Sequence, residues 1–306
     1  MWTLKLIAAD TKIEFVRYRL MAFVLSALLL IVSVGAFISN GLNFGIDFKG
    51  GTLIEISSDI EIDIAQLREQ LTGLNIGEVQ IQQFGTPSDA LIRVSADEAA
   101  ESAEGGLSAV ESIRNELQGR FEIRRVEIVG PQVSGELIQT GILAVLAAIV
   151  SMLIYIWFRF EWQFSVGAVL ALVHDVVLTI GIFSLLQLDF NLSILAAILT
   201  IVGYSMNDTV VVYDRVRENL RKFKKMPLDD LLNVAINETL SRTVMTSVTT
   251  LIALIALYTL GGEVIRGFTF AMIWGVVVGT YSSVFVASPL LLYLGVKRDW
   301  SGNQTD

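Results

Sequence analysis

Residues 192–213 read LSILAAILTIVGYSMNDTVVVY and hold a single charged side chain, Asp208, in a run that is otherwise apolar, small or hydroxylated. The length of that run decides what it is. Crossing roughly 30 Å of hydrocarbon at about 1.5 Å per residue takes about 20 residues of helix. Five other stretches meet the same requirement: Leu20 to Ser39, Leu137 to Phe158, Phe164 to Leu186, Val244 to Leu260 and Phe268 to Leu294. The chain is therefore expected to be an α-helical polytopic membrane protein with six transmembrane helices. Composition agrees, with 53% hydrophobic and 17% charged residues over 306 positions and a mean hydropathy of +0.62. Soluble domains carry charge on about a quarter of their residues. The first stretch reads as a retained anchor and not a cleaved signal, because a long polar leader precedes its apolar run.

Lysine and arginine counts in the short loops set the orientation. The leader carries Lys5, Lys12, Arg17 and Arg19, the second loop Arg159, the fourth Arg215, Arg217, Arg221, Lys222, Lys224 and Lys225, and the tail Lys297 and Arg298. The alternate loops carry only Arg266 between them. Both termini are expected in the cytoplasm, and the long insertion between the first two spans outside it. Three regions follow: 1–41 with the first span, 42–136 as an extracytoplasmic domain, and 137–306 with five spans and a cytoplasmic basic loop over 214–242.

Residues 42–136 hold 17 Asp and Glu against 7 Lys and Arg, which accounts for most of the chain's net charge of −9. Such a surface is unsuited to nucleic acid. Its hydrophobic pattern switches between period two and period 3.6, giving strands over Thr52 to Ser57, Val79 to Phe84, Ala90 to Val94 and Phe121 to Val129, and helices over Ile62 to Leu74 and Leu107 to Leu117. A turn is expected at Gly85 to Asp89. The order βαββαβ is that of a ferredoxin-like α+β domain. It shows no catalytic constellation. With no cysteine and one histidine, the chain offers no thiolate or multi-histidine metal site, and no cofactor or enzymatic activity is expected.

The informative residues break the apolar rule. An Asp at mid-bilayer costs on the order of 2.5 to 3.5 kcal/mol, so its presence asks for a partner or a function. His174 and Asp175 lie in the third span, Asn207 and Asp208 in the fourth, and Arg242 at the start of the fifth. The fourth span descends as the fifth rises, so Asp208 and Arg242 can meet without bending either helix. A structural ion pair, or an Arg242 that snorkels to lipid phosphates, is the plainer reading. A packed, hydrogen-bonded polar spot is the plainer reading of His174 and Asp175. Ala197, Thr200, Tyr204 and Asp208 recur at helical spacing, as do Arg242, Thr246, Thr249 and Ala253, and Ala271, Gly275, Gly279 and Ser283. Stripes of this kind pack membrane helices closely and place the ionisable groups inside a bundle. There desolvation opposes charge on a carboxyl while a nearby guanidinium favours it, the balance a proton-coupled transporter needs. Beyond the fourth span the basic run reaches Lys225, followed by a separate amphipathic helix over Leu228 to Leu240. Outside the first span, Gly45, Asp47, Gly50 and Gly51 form a hinge where the chain leaves the membrane.

Gly45-Ile46-Asp47-Phe48-Lys49-Gly50-Gly51-Thr52, His174-Asp175, Val202 to Thr209 running into Asp214-Arg215-Val216-Arg217-Glu218-Asn219, and Arg242 to Ser247 closely resemble the SecF branch of the SecD/SecF family of bacterial protein-export subunits. The match runs over essentially the whole chain. The resemblance implies the resistance-nodulation-division superfamily, an inner-membrane location, and work with SecD on preproteins leaving the SecYEG channel, driven by the proton gradient. It assigns Asp208 and Arg242 to proton transport and gives Asp175 a matching family position. One six-helix set is half of such a transporter, which leaves helices four to six wanting the helices of SecD. Two rival readings remain: a passive scaffold in which Asp208 and Arg242 are structural, and a small-molecule efflux subunit, for which one compact outer domain offers little room.

Overall fold

The computed structural model describes residues 11–74, 76–77, 79–94 and 103–296; Lys5, Lys297 and Arg298, used above for orientation, lie outside them. A 3-10 turn at Phe15–Tyr18 leads into α1, Arg19–Asn40. Next come a two-residue strand β1, Asn43–Phe44, and a short helix α2, Ile46–Lys49. The outer domain follows as β2 (Gly51–Ser57), α3 (Ile64–Thr72), β3 (Val79–Phe84), β4 (Thr86–Val94), α4 (Ala103–Leu117) and β5 (Glu122–Val129). Its antiparallel sheet has the order β3-β4-β2-β5, the split βαβ arrangement. Ile54, Ile56, Ile81 and Ile92 of the sheet meet Leu67 and Leu71 of α3 and Ile113 and Leu117 of α4 in one core.

One element of that domain differs from expectation. The β3–β4 turn is a single residue, Gly85 at φ +79°, and the strand resumes at Thr86 instead of Ala90. Residues 87–89 bulge away from β3, which makes Phe84 pair with Thr86 and Gln83 with Ala90. The missing N–H of Pro87 falls in that bulge, while its carbonyl accepts from the Ile62 amide at 2.9 Å.

The remaining spans are α5 (Pro131–Arg159), α6 (Trp162–Leu186), a second two-residue strand β6 (Asp189–Phe190), α7 (Leu192–Lys222), α8 (Leu228–Leu260) and α9 (Arg266–Ser282). A π turn at Ser283–Ala287 carries α9 into α10, Ser288–Tyr293. Among the described residues, six helical spans are long and apolar enough to cross a membrane. Two expected boundaries are corrected. Much of the basic stretch 214–242 is not a loop, because α7 runs on to Lys222 with Val216 and Leu220 buried at i, i+4 spacing. Likewise Leu228 to Leu240 is no separate helix, since no glycine or proline interrupts residues 228–260 and α8 stays continuous. Only residues 223–227 link the two.

The spans pack through small residues. A Cβ on Gly275 of α9 would lie 2.3 Å from Ile201 Cγ1 of α7, and one on Gly279 would lie 2.9 Å from Ser205 Cβ. On α6, a Cβ at Gly181 would lie 2.1 Å from Ser33 Cβ of α1. The expected stripe on α9 is thus used up inside this chain. The one on α8 is not: its buried side is Leu231, Ala235, Thr239, Thr243 and Ser247, which leaves Arg242, Thr249 and Ala253 exposed.

Candidate functional site

Two buried carboxylates lie close together among α6, α7 and α9, in very different surroundings. Asp175 is held from three directions: His174 Nδ1 is 2.9 Å from Oδ1, Ser205 Oγ donates to Oδ2 at 2.5 Å, and Ser282 Oγ donates to Oδ2 at 2.8 Å. Adjacent hydroxyls extend the network, with Thr209 and Ser283 2.8 Å apart and Ser283 donating to the Ser205 carbonyl at 3.4 Å. His174 and Asp175 are therefore the packed polar spot that ties α6 to α7 and α9. The imidazole is buried, stacks loosely on Tyr281 with ring centres 6.3 Å apart, and has no hydrogen-bond partner for Nε2 among the described residues.

Asp208 lies one turn beyond Ser205 on α7. It is 3% exposed, and its Oδ2 has no hydrogen-bond partner among the described residues. Across the seam to α8, Tyr204 Oη donates to Ser247 Oγ at 3.5 Å, and Ser247 meets Thr280 of α9 at 2.7 Å. Thr243, one turn before Ser247 on α8, has a buried hydroxyl oxygen that also lacks a partner among the described residues. Arg242 is the neighbouring charge that acts on Asp208, yet no ion pair closes between them. The pairing expected from depth is an approach and not a contact. Arg242 lines a polar cleft of about 690 Å³ at the end of the bundle away from the folded domain, together with Arg159, Asp214, Arg215, Glu218 and Glu238. Asn207 turns outward on the exposed side of α7.

The glycine segment sits at the opposite end of α7 and is more than a hinge. β1 pairs in parallel with β6, and the Gly45 amide donates to the Phe190 carbonyl at 2.8 Å. A Cβ on Gly45 would lie 3.2 Å from Asn191 Cβ, so a side chain there would have to push Asn191 back by a few tenths of an ångström. Gly50 and Gly51 take φ of +75° and +121°, which turns α2 into β2. Asp47 Oδ2 accepts from the Leu192 amide at 2.9 Å and so caps the helix that carries Asp208.

Two family descriptions match this chain: "Protein export membrane protein SecD/SecF, C-terminal" over residues 109–297, and "SecD/SecF GG Motif" over residues 35–59. The protein translocase subunit SecF of Rhodobacter capsulatus is 49% identical over 97% of this chain and 93% of its own length. That of Magnetococcus marinus is 52% identical over 93% of this chain and 92% of its own. The chain belongs to the SecF family. Among solved structures, SecDF of Thermus thermophilus, a translocon-associated membrane protein, superposes with a TM-score of 0.84 at 37% identity, covering 96% of this chain and 39% of that longer one. SecDF in a super-membrane-facing form gives 0.69 at 36% identity over the same shares.

The sequence reading gave Ser282 no place, and it held Ser205, Thr243 and Ser247 only as members of the two segments that resemble the family, with no role of their own. The sequence reading also missed Asp189, whose carboxylate collects three side-chain contacts at the domain end of α7.

Proposed function

We infer that this SecF-family subunit converts the proton-motive force into late movement of preproteins, working with a SecD partner at the SecYEG channel. The reading rests on one observation: Asp208 is buried in a span with Oδ2 unsatisfied, beside an unclosed Arg242 that lines a polar cleft. A carboxyl left this way changes its best helix arrangement when it gains or loses a proton, since a charge inside a membrane span asks for a partner and a neutral acid does not. Each charge crossing about 100 mV delivers about 2.3 kcal/mol, enough to bias two arrangements that differ by a few. The domain over 42–136 is then periplasmic, the polar cleft opens to the cytoplasm, and the protein is a multi-pass subunit of the bacterial inner membrane with both termini cytoplasmic.

SecD would cover the side of α7 and α8 that presents Thr200, Gly203, Asn207, Arg242 and Thr249. Small and polar residues on a membrane helix favour another helix over lipid. The subunit performs no bond chemistry of its own and takes no cofactor.

The test is Asp208→Asn in vesicles holding the subunit with its partner and the channel, read as protease-protected preprotein with and without an imposed proton gradient. Stimulation by the gradient should be lost while subunit abundance and association stay unchanged. Retained stimulation refutes the proton role. Loss of abundance instead favours the scaffold reading.

A further inference from the structure

Asp189 lies in the short connection between α6 and α7, one residue from Phe190 and three from the start of α7. Its carboxylate accepts from Asn43 Nδ2 at 2.8 Å, from Gln82 Nε2 of β3 at 3.2 Å, and pairs with Arg93 of β4 at 3.1 Å. Asn43 belongs to the same membrane-side ribbon, so two of these contacts cross from the membrane helices to the folded domain. They leave from the sheet face opposite α3 and α4, since Ile81 and Ile92, which neighbour Gln82 and Arg93, point into the domain core. Asp47 fastens the other side of the same junction by capping α7.

The two attachments differ in kind. Asp47 is continuous with β2 through Gly50 and Gly51 and sits beside the ribbon in which Phe44, Phe48 and Phe190 pack on one another with ring centres about 6 Å apart. Asp189 stands in that ribbon beside Phe190, and its pair with Arg93 is largely buried, with side chains 30% and 11% exposed. Removing one partner of such a pair leaves the other charge uncompensated.

We propose that Arg93 and Asp189, assisted by Gln82, are a positioning latch through which the outer domain follows the domain end of α7. Asp47 and the glycine segment are the pivot, and the latch sets which orientation of the sheet accompanies each state of the bundle. The proposal rests on Asp208 as the proton-carrying group, since the signal it passes on begins there. Both Arg93 and Asp189 act through the position of α7.

Spin labels at Ile60, an exposed site on the domain, and Ile38, an exposed site at the domain end of α1, report the distance between the two parts in the full-length subunit reconstituted with its partner. Asp208→Asn should shift the distance distribution. Arg93→Ala and Asp189→Ala should each reduce that shift at least two-fold, Arg93→Lys should keep most of it, and the exchange Arg93→Asp with Asp189→Arg should restore it. If the alanine variants keep the full shift, the latch is wrong and the proton reading stands. If Asp208→Asn moves nothing with the latch intact, both fail. Should either alanine variant express poorly, Gln82→Ala is read in its place, with a partial loss of the shift expected and a full shift counting against the latch.

Discussion

Asp175 and Asp208 occupy adjacent turns of one helical seam at opposite extremes of hydrogen bonding: three side chains hold Asp175, and the Oδ2 of Asp208 is held by none among the described residues. Buried polar groups are nearly always satisfied, and Asp208 Oδ2 shares its lack of a partner with His174 Nε2 and Thr243 Oγ1. On the proton reading proposed above, the satisfied acid is architecture and the unsatisfied one the working group.

That contrast separates their variants. Replacing Asp175 with Ala removes its bonds with Ser205, Ser282 and His174, although the Ser282 hydroxyl still reaches the Gly279 carbonyl at 3.1 Å. At about 0.6 kcal/mol for each membrane hydrogen bond, the loss is roughly 2 kcal/mol. Asp208→Asn removes no hydrogen bond. Thermal unfolding in detergent should fall for Asp175→Ala and stay unchanged for Asp208→Asn, whereas gradient-dependent export should be lost in the second. Equal destabilisation by both would erase the distinction.

Gly181 supports a second expectation. A Cβ there meets Ser33 Cβ at 2.1 Å and Ser33 Cα at 2.7 Å, and a backbone atom cannot rotate away. Gly181→Ala should therefore push α1 off α6 and cost about 1 to 3 kcal/mol, the usual range for overpacking. Ser33→Gly should recover only part of this, because the Cα clash remains. Thermal melts of the single and double variants decide it, and a neutral Gly181→Ala would show that α1 has room to move.

The spans were legible because lipid admits little else: about 20 apolar residues in a row mean one thing in a chain this hydrophobic. The outer domain was legible because Ile54 and Ile56, and Leu67 and Leu71, follow two distinct periods. Asp208, Asp175 and His174 stood out as exceptions in apolar runs. What stayed hidden was polar and ordinary. Ser205 and Ser282 resemble any helix serine, since a hydroxyl can satisfy itself on its own backbone, as Ser283 does on Gly279 at 2.8 Å. Arg93 looks like an outward residue of a strand and Asp189 like a loop acid, and only the docking of the domain brings them together. The apparent break before Arg242 misled because the apolar face changes character there while the helix period does not.

The outer domain should lose stability in acid through Asp89. Side-chain hydrogen bonds from Ser57 and Thr86, with help from Arg124, outweigh burial and hold its carboxyl below the ordinary range. Thr86 Oγ1 lies 2.6 Å from Oδ2, and Arg124 lies 3.0 Å from Oδ1. A folded pKa below the unfolded one gives stability that is complete above about pH 4 and is lost as pH falls through the folded value. Hydrogen exchange at Ile56 and Ala90, corrected for intrinsic rates, should speed up below about pH 4 in the wild type. Asp89→Asn should exchange faster at neutral pH and show a flatter acid response. An unchanged acid response in that variant would assign the effect elsewhere.

The cap on α7 gives the most direct reading of the junction. The amide of the first residue of a helix has no partner within the helix, so protection of Leu192 reports its bond to Asp47 and little else. Asn191 caps the amide of Ile194 at 3.2 Å and serves as an internal control on the same turn. Asp47→Ala should raise exchange at Leu192 by about tenfold, which corresponds to a cap worth about 1.4 kcal/mol, while Ile194 changes little. Asp47→Asn keeps an acceptor but loses the favourable meeting of a carboxylate with the positive end of the helix, so it should fall between wild type and Asp47→Ala. If Leu192 exchanges at the same rate in all three proteins, the glycine segment does not fasten the helix that carries Asp208, and the pivot assigned to it is lost.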